Sequence, residues 1–258
     1  MLKKTLLLVV GCLMALAAAG IVNAQPSKEI TVSAAISLKN AFEEIGNLFE
    51  SQNMGTKVVF NFGASGDLAR QIEGGAPVDV FASAAQKDMD QINTKGLIAD
   101  STRLNFAKNT VVLIQSAVSK LEIKGFEDLL KPEIKMVSIG NPQTVPAGKY
   151  AQEVLTHFNL WDGVSNKLVL AENVRQVLDY VTKNEVDAGV VYATDAAVQA
   201  NKIKIVATAP SGSHKPVVYP VAMVKGSKNE VLAKAFITML KSDDGMNILK
   251  KYGFESAQ

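Results

Sequence analysis

Four short segments each open an amphipathic helix with small or hydroxyl residues: Ala35-Ile36-Ser37-Leu38, Gly63-Ala64-Ser65-Gly66, Val145-Pro146-Ala147-Gly148 and Glu172-Asn173-Val174-Arg175. A fifth, Val190-Val191-Tyr192-Ala193, ends an apolar strand with a tyrosine. The start of a helix leaves backbone N–H groups unpaired and carries the positive end of the helix dipole. Several such starts brought together make an anion site that needs no lysine or arginine.

Each of these residues also has an ordinary use. Serines at such places cap helices, and Ser37 and Ser65 suit that role. Asn40, not an acid, follows Ser37 by three residues, so no capping box competes for its hydroxyl. Pro146 is a common first-turn proline, Val174 fits a core position, and Tyr192 fits a half-buried strand end. Chemistry of bond breaking finds less support. His157 and His214 are the only histidines, and neither sits in a metal or triad spacing. No phosphate-binding Walker loop, dinucleotide fingerprint or nucleophile elbow occurs. Asp79 and Asp187 begin apolar strands, where acids cap and turn the chain. An enzyme is therefore not expected, and no cofactor motif is present.

The ends and the composition restrict the setting. Lys3 and Lys4 precede an apolar run from Leu6 to Ile21, and Val22-Asn23-Ala24 fits a small-x-small cleavage pattern before Gln25. Residues 1–24 thus read as a signal peptide and the chain as a protein exported to the periplasm. Cys12 is the only cysteine; Val9-Val10-Gly11-Cys12 loosely matches a lipidation box, but cleavage there would leave an apolar tail from Leu13 to Val22. Removal of the leader leaves about 234 residues without cysteine, excluding disulfides and thiol chemistry. It also leaves 25 basic against 25 acidic side chains. Such a balance, with no basic block among aromatics, argues against nucleic acid and against long-range steering of an anion.

Short apolar strands alternate with amphipathic helices from Ile30 onward, which implies parallel sheets flanked by helices. Examples are Ile30–Ala34 before a helix from Leu38 to Phe49, and Lys57–Phe62 before a helix from Asp67 to Glu73. Long strands near Thr110 and Val218 bracket a middle block with its own strand–helix series. The expected class is α/β with two lobes, each a mainly parallel sheet. Residues 25–108 plus 218–258 would form lobe 1 and residues 109–217 lobe 2, joined by two hinge crossings. Ligands of open α/β sheets sit beyond the strand C-termini, where the opening segments gather.

These segments resemble those of the periplasmic molybdate-binding proteins of ABC transporters. The stretches that carry the resemblance are Ile30-Thr31-Val32-Ser33-Ala34-Ala35-Ile36-Ser37-Leu38, Leu68 to Pro77, Val145 to Ala151, Ala171-Glu172-Asn173-Val174-Arg175, Gly189-Val190-Val191-Tyr192 and Lys251-Tyr252-Gly253-Phe254. The resemblance implies a type II binding-protein fold holding molybdate, and tungstate, in the interlobe cleft. It implies contacts from the hydroxyls and N–H groups of Ser37 and Ser65, the N–H groups of Ala147 and Val174, and the phenol of Tyr192. The metal would be reached only through its oxygens. An inner-membrane permease with its ATPase, and a monomeric state, follow from the same likeness. Arg70 and Arg175 would stay off the anion, as surface or lobe-bridging groups. Two departures stand out: Ile36 replaces a small residue, and Asp67 puts a carboxylate in the first turn after Ser65, where it must turn outward. Alternatives are a binder of sulfate, thiosulfate or another small anion on the same fold, and an extracytoplasmic ester hydrolase.

Overall fold

The computed structural model describes residues 28–257. The expected leader at 1–24, with Cys12, lies outside the described residues. Among the described residues no helix is long and apolar enough to cross a membrane.

Two sheets organise the chain. In the first, β1 (Lys28–Ala35), β2 (Thr56–Gly63) and β3 (Val80–Ala82) run parallel in the order β2-β1-β3. Parallel neighbours need a crossover, supplied by α1 (Lys39–Gln52) and α2 (Ser65–Glu73). Ala41, Phe42, Ile45 and Phe49 of α1 are buried at helical spacing, and Phe42 packs against Phe60, Phe106 and Phe236. Burying one such ring stabilises the fold by about 1.5–3 kcal/mol.

After α3 (Gln86–Thr94) the chain adds β4 (Leu104–Asn109), and then leaves this sheet. The second sheet has the order β7-β6-β8-β5-β9. It is built from β5 (Val111–Ser116), β6 (Val137–Gly140), β7 (Leu168–Ala171), β8 (Ala188–Tyr192) and β9 (Ile203–Thr208). Its helices are α4 (Pro146–His157), α5 (Trp161–Val164), α6 (Val174–Thr182) and α7 (Ala193–Val198). The chain then returns through β10 (Val217–Met223), α8 (Glu230–Met239), α9 (Asp243–Lys251) and β11 (Glu255–Ser256), which complete the first sheet in the order β11-β4-β10-β3-β1-β2.

Both sheets are mixed. The expected parallel pairings form β2-β1-β3 and β7-β6-β8, but β10, β4 and β11 join the first sheet antiparallel, as do β5 and β9 the second. The cause is the pair of crossings. A strand that has just passed from one sheet to the other enters without a covering helix, so it need not follow the βαβ rule. The single strand expected near Thr110 is in fact two, β4 and β5, in different sheets with only Thr110 between them. β4 is half-buried and Leu104-Asn105-Phe106-Ala107 lacks strict alternation, so its sequence carries little strand signal.

Candidate functional site

The C-terminal ends of β1, β2 and β3 face those of β6, β7 and β8 across the seam between the sheets. A narrow cavity of about 10 Å³ lies there, lined by Ala35, Ile36, Ser37, Gly63, Ala64, Ser65, Ala84, Val145, Pro146, Ala147, Val174 and Tyr192. All five residues singled out from the sequence are in this set. No lining residue carries a charge.

Local sequence explains why donors are left over at this point. Ala64, Val145 and Leu38 stand as N-caps of α2, α4 and α1, and none has a side chain that bonds back to the helix. Ser65 is therefore the first residue of α2 rather than its cap, and Ser37 lies in a single 3-10 turn before α1. The capping role open to both serines on sequence is not the one they take. Ala147 follows Pro146 in the first turn of α4, and Val174 begins α6, so the N–H groups of both lack intrahelical partners. Asn173 does cap α6, accepting from Gln176 N at 3.0 Å, which leaves Val174 N–H free of that bond.

The hydroxyls are oriented by what they already accept. Ala84 N donates to Ser65 Oγ at 3.0 Å. A backbone N–H can only donate, so the proton of Ser65 remains available to the cavity. Ser37 Oγ lies 3.0 Å from Tyr219 Oη. Tyr192 Oη is wholly buried and has no hydrogen-bond partner among the described residues. Burial holds its pKa well above the usual phenol value, with Tyr219, Tyr150, Asp195 and Asp88 adding to the shift, so it stays a protonated donor. An unpaired buried hydroxyl costs about 1–3 kcal/mol, a cost that an acceptor in the cavity would remove.

Charged groups are held around the cavity but not in it. Asp67 pairs with Arg70 along α2, and both are substantially exposed, so the carboxylate does turn outward. Arg175 pairs with buried Asp195, and its Nη1 donates to Asn40 Oδ1 at 2.9 Å, bridging α6 to α1 across the seam. Burial raises the Asp195 pKa and Arg175 opposes the rise. Asp79 accepts from Thr31 N at 2.8 Å and from Ser227 Oγ at 2.5 Å, while Asp187 accepts from Lys135 N and Met136 N. Both act as structural ties. His214 Nδ1 lies 2.7 Å from Lys215 O, and His157 packs edge-on to Phe158. Among the described residues no cluster of histidine, cysteine and acidic side chains suits a metal ion.

The seam is close at this point. Gly66 N donates to Thr144 O at 3.0 Å, and a Cβ on Gly66 would stand 2.7 Å from that oxygen. On α4, a Cβ on Gly148 would overlap Gly140 O at 1.8 Å, so glycine there lets the helix start approach the end of β6. Sequence reasoning passed over Ala84 and Tyr219. For Ala84 a signal existed: Ala82-Ser83-Ala84-Ala85 follows a strand as the Ser37 and Ser65 segments do. Tyr219 lies inside a strand pattern and gave none.

Comparison with known proteins places the chain in a family. The family profile described as bacterial extracellular solute-binding protein matches residues 30–255. The molybdate-binding protein ModA of Escherichia coli (strain K12) is 42% identical over 260 residues, covering 98% of this chain and 99% of that protein. ModA of Haemophilus influenzae is 40% identical over 233 residues, covering 89% and 91%. The solved periplasmic molybdate-binding protein of Azotobacter vinelandii superposes with a TM-score of 0.79 at 27% identity, covering 89% of this chain and 100% of that one.

Proposed function

Because the chain belongs to the bacterial extracellular solute-binding proteins, we propose that it captures molybdate, and tungstate as well, in the cavity between its sheets and delivers it to an ABC importer. The observation that carries this reading is the wholly buried, unpartnered Tyr192 Oη in a cavity lined by neutral residues. Molybdate is a tetrahedral dianion without a proton near neutral pH. All its oxygens accept hydrogen bonds and none donates. A pocket that offers only donors is matched to it, whereas a carboxylate acceptor would favour a protonated oxyanion.

In this reading Ser37, Ser65 and Tyr192 donate through hydroxyls, and Ala147 and Val174 through backbone N–H groups at helix starts. Each bond to a charged oxygen contributes about 1.5–3 kcal/mol. Several in a dry pocket suffice for sub-micromolar binding, about −8 kcal/mol or better. The donors alone do not separate molybdate from sulfate, so cavity size must. Residues 25–108 with 218–258, and 109–217, act as the two lobes of a clamp that closes on the anion. The closed form presents both lobes to an inner-membrane permease and its ATPase. The protein works as a monomer in the periplasm after cleavage near Ala24-Gln25, and it catalyses no reaction and needs no cofactor; the molybdenum is cargo.

Isothermal titration of the purified protein with molybdate, tungstate and sulfate tests this. Sub-micromolar binding of the first two, with sulfate at least a hundredfold weaker, is the expected result. Absence of heat with molybdate and tungstate at micromolar protein removes the proposed function. A preference for sulfate would assign the same pocket to a different cargo.

A further inference from the structure

Behind Ser37 lies a chain of buried and half-buried side chains linked by hydrogen bonds. Asn109, the last residue of β4, accepts from Thr110 N through Oδ1 at 2.9 Å. Since a backbone N–H only donates, that bond identifies which end of the Asn109 amide is the oxygen. The other end, Nδ2, carries two protons. One goes to Thr194 Oγ1 at 2.8 Å and the other to Tyr219 Oη at 3.1 Å. Tyr219 is fully buried in β10. Its oxygen accepts from Asn109, and among the described residues Ser37 Oγ, 3.0 Å away, is the acceptor within reach of its single proton, so we take the phenol as the donor in this pair. Ser37 then accepts from Tyr219, and its own proton points elsewhere, with the cavity as its open side.

The backbone supports this placement independently. The pairing of β10 with β4 shifts register between Tyr219 and Pro220, a bulge beside the site. Bulges re-aim side chains and are common next to functional sites, and proline inside a sheet is found at such breaks. Tyr219 also meets Tyr192 edge to face, with ring centroids 6.0 Å apart, so it packs against a residue that lines the cavity.

We propose that Asn109 and Tyr219 are positioning residues that turn the Ser37 proton toward the cavity as a donor and thereby bias the pocket toward an oxyanion that carries no proton. The proposal rests on the anion-binding reading above. Neither residue lines the cavity; both act through Ser37. With Tyr219 in place, the Ser37 oxygen is already occupied by a donated proton, as the Ser65 oxygen is by Ala84 N. A hydrogen phosphate ion, which must give away its own proton, finds at each serine oxygen one acceptor position fewer than a free hydroxyl would offer. Asn109 closes the first crossing between the sheets and also holds Thr194 of α7, so the direction of the Ser37 proton depends on the crossing strands being seated.

The test measures molybdate affinity, and its displacement by inorganic phosphate at pH 8, for the wild type, Tyr219→Phe, Ser37→Ala and the double variant. Tyr219→Phe is expected to weaken molybdate about tenfold. It should also lower by a similar factor the ratio of phosphate to molybdate needed for displacement. In the Ser37→Ala background the same change should alter affinity less than twofold, because the group it directs is gone. An unchanged affinity or displacement ratio in Tyr219→Phe, or a loss of equal size with and without Ser37, overturns the proposal. Asn109→Ala provides a second route if Tyr219→Phe fails to fold: it should weaken molybdate at least threefold, again only when Ser37 is present. A wild type that binds no molybdate would instead defeat the anion-binding reading, a distinct outcome.

Discussion

Two cavities share the seam between the sheets, divided by Val145 and Pro146, and they are built on opposite principles. The small one has neutral walls and buried donors. The large one, about 670 Å³, is lined by Lys87, Asp88, Asp90, Lys149, Glu153 and Lys215, among others. Charge is abundant on the wall of the large cavity and absent from that of the small one. An ion in the wet cleft would meet screened charges of both signs, each contributing little. An ion in the closed pocket would meet fixed dipoles that cost nothing to reorient and that water does not weaken. In the proposed reading the molecule handles an anion by orienting neutral groups, while its formal charges serve elsewhere, as in the Arg175–Asp195 pair beside the seam.

The largest break in that comparison is to move a charge into the small pocket. Ala84→Asp puts a carboxylate on its wall. At an effective dielectric constant of 20, two unit charges 4 Å apart interact by about 4 kcal/mol, so molybdate affinity should fall at least several hundredfold. Ala84→Asn, of equal size, controls for crowding and should retain far more of the binding. Titration of the two variants side by side decides the matter, and a carboxylate variant within tenfold of its amide counterpart would mean that charge exclusion is not the principle.

Removing single donors comes next. Ser37→Ala, Ser65→Ala and Tyr192→Phe should each weaken binding by about 1–3 kcal/mol. Their stabilities should differ in a telling way. Ser65→Ala strands the buried Ala84 N–H and should lower the unfolding free energy by about 1–2 kcal/mol. Tyr192→Phe removes a hydroxyl that has no partner and should leave stability unchanged or improved in the absence of anion. Thermal melts with and without molybdate separate these effects. A Tyr192→Phe protein that is markedly less stable without anion would show that the hydroxyl is satisfied within the protein.

Between these extremes stands the seam itself. Gly66→Ala drives a methyl group against Thr144 O, backbone that cannot rotate away. The expected effect is a loss of affinity of about tenfold from impaired approach of the two sheets, with the hydroxyls untouched. It should appear as faster dissociation in stopped-flow displacement, and an unchanged dissociation rate would remove Gly66 from the closing contact.

The sequence shows the pocket more clearly than it shows the sheets. The segments that hold Ser37, Ser65, Ala147, Val174 and Tyr192 are legible because each sits where an apolar strand hands over to a helix, a local pattern, and the resemblance to molybdate-binding proteins implies the individual residues. What escapes is non-local. The direction of the Ser37 proton depends on Tyr219 and Asn109, 182 and 110 positions apart from their partners, and no spacing rule links them. β4 escapes because its burial comes from β10 and β11 on either side rather than from a periodic face. The mixed sheet order escapes for a similar reason, since strand direction after a crossing follows from where the chain re-enters. Pairing of Asp67 with Arg70 is the intermediate case: their spacing of three residues on a helix makes it legible, and the structure forms it.

The smallest effect on binding, and the sharpest contrast between the cavities, belongs to Asp88. This carboxylate on the wall of the large cavity is buried, and burial raises its pKa to about 6, with Lys87 and Arg70 opposing the shift and Asp67 reinforcing it. An acid whose pKa is higher folded than unfolded favours the native state while it is protonated. That contribution is fully present below the ordinary aspartate value near pH 4 and is lost as pH rises to about 6. Above that range the charged form is a net cost. Asp88→Asn should therefore stabilise the protein at pH 7.5 by about 1–2 kcal/mol, after allowance for residual solvent contact, and should make almost no difference at pH 4. Molybdate affinity should stay within twofold at pH 7.5, because the group belongs to the wet cavity. Denaturant melts at the two pH values, paired with one titration, check both halves. A stabilisation that is independent of pH would trace the effect to packing, and a large change in affinity would join the two cavities that the structure keeps apart.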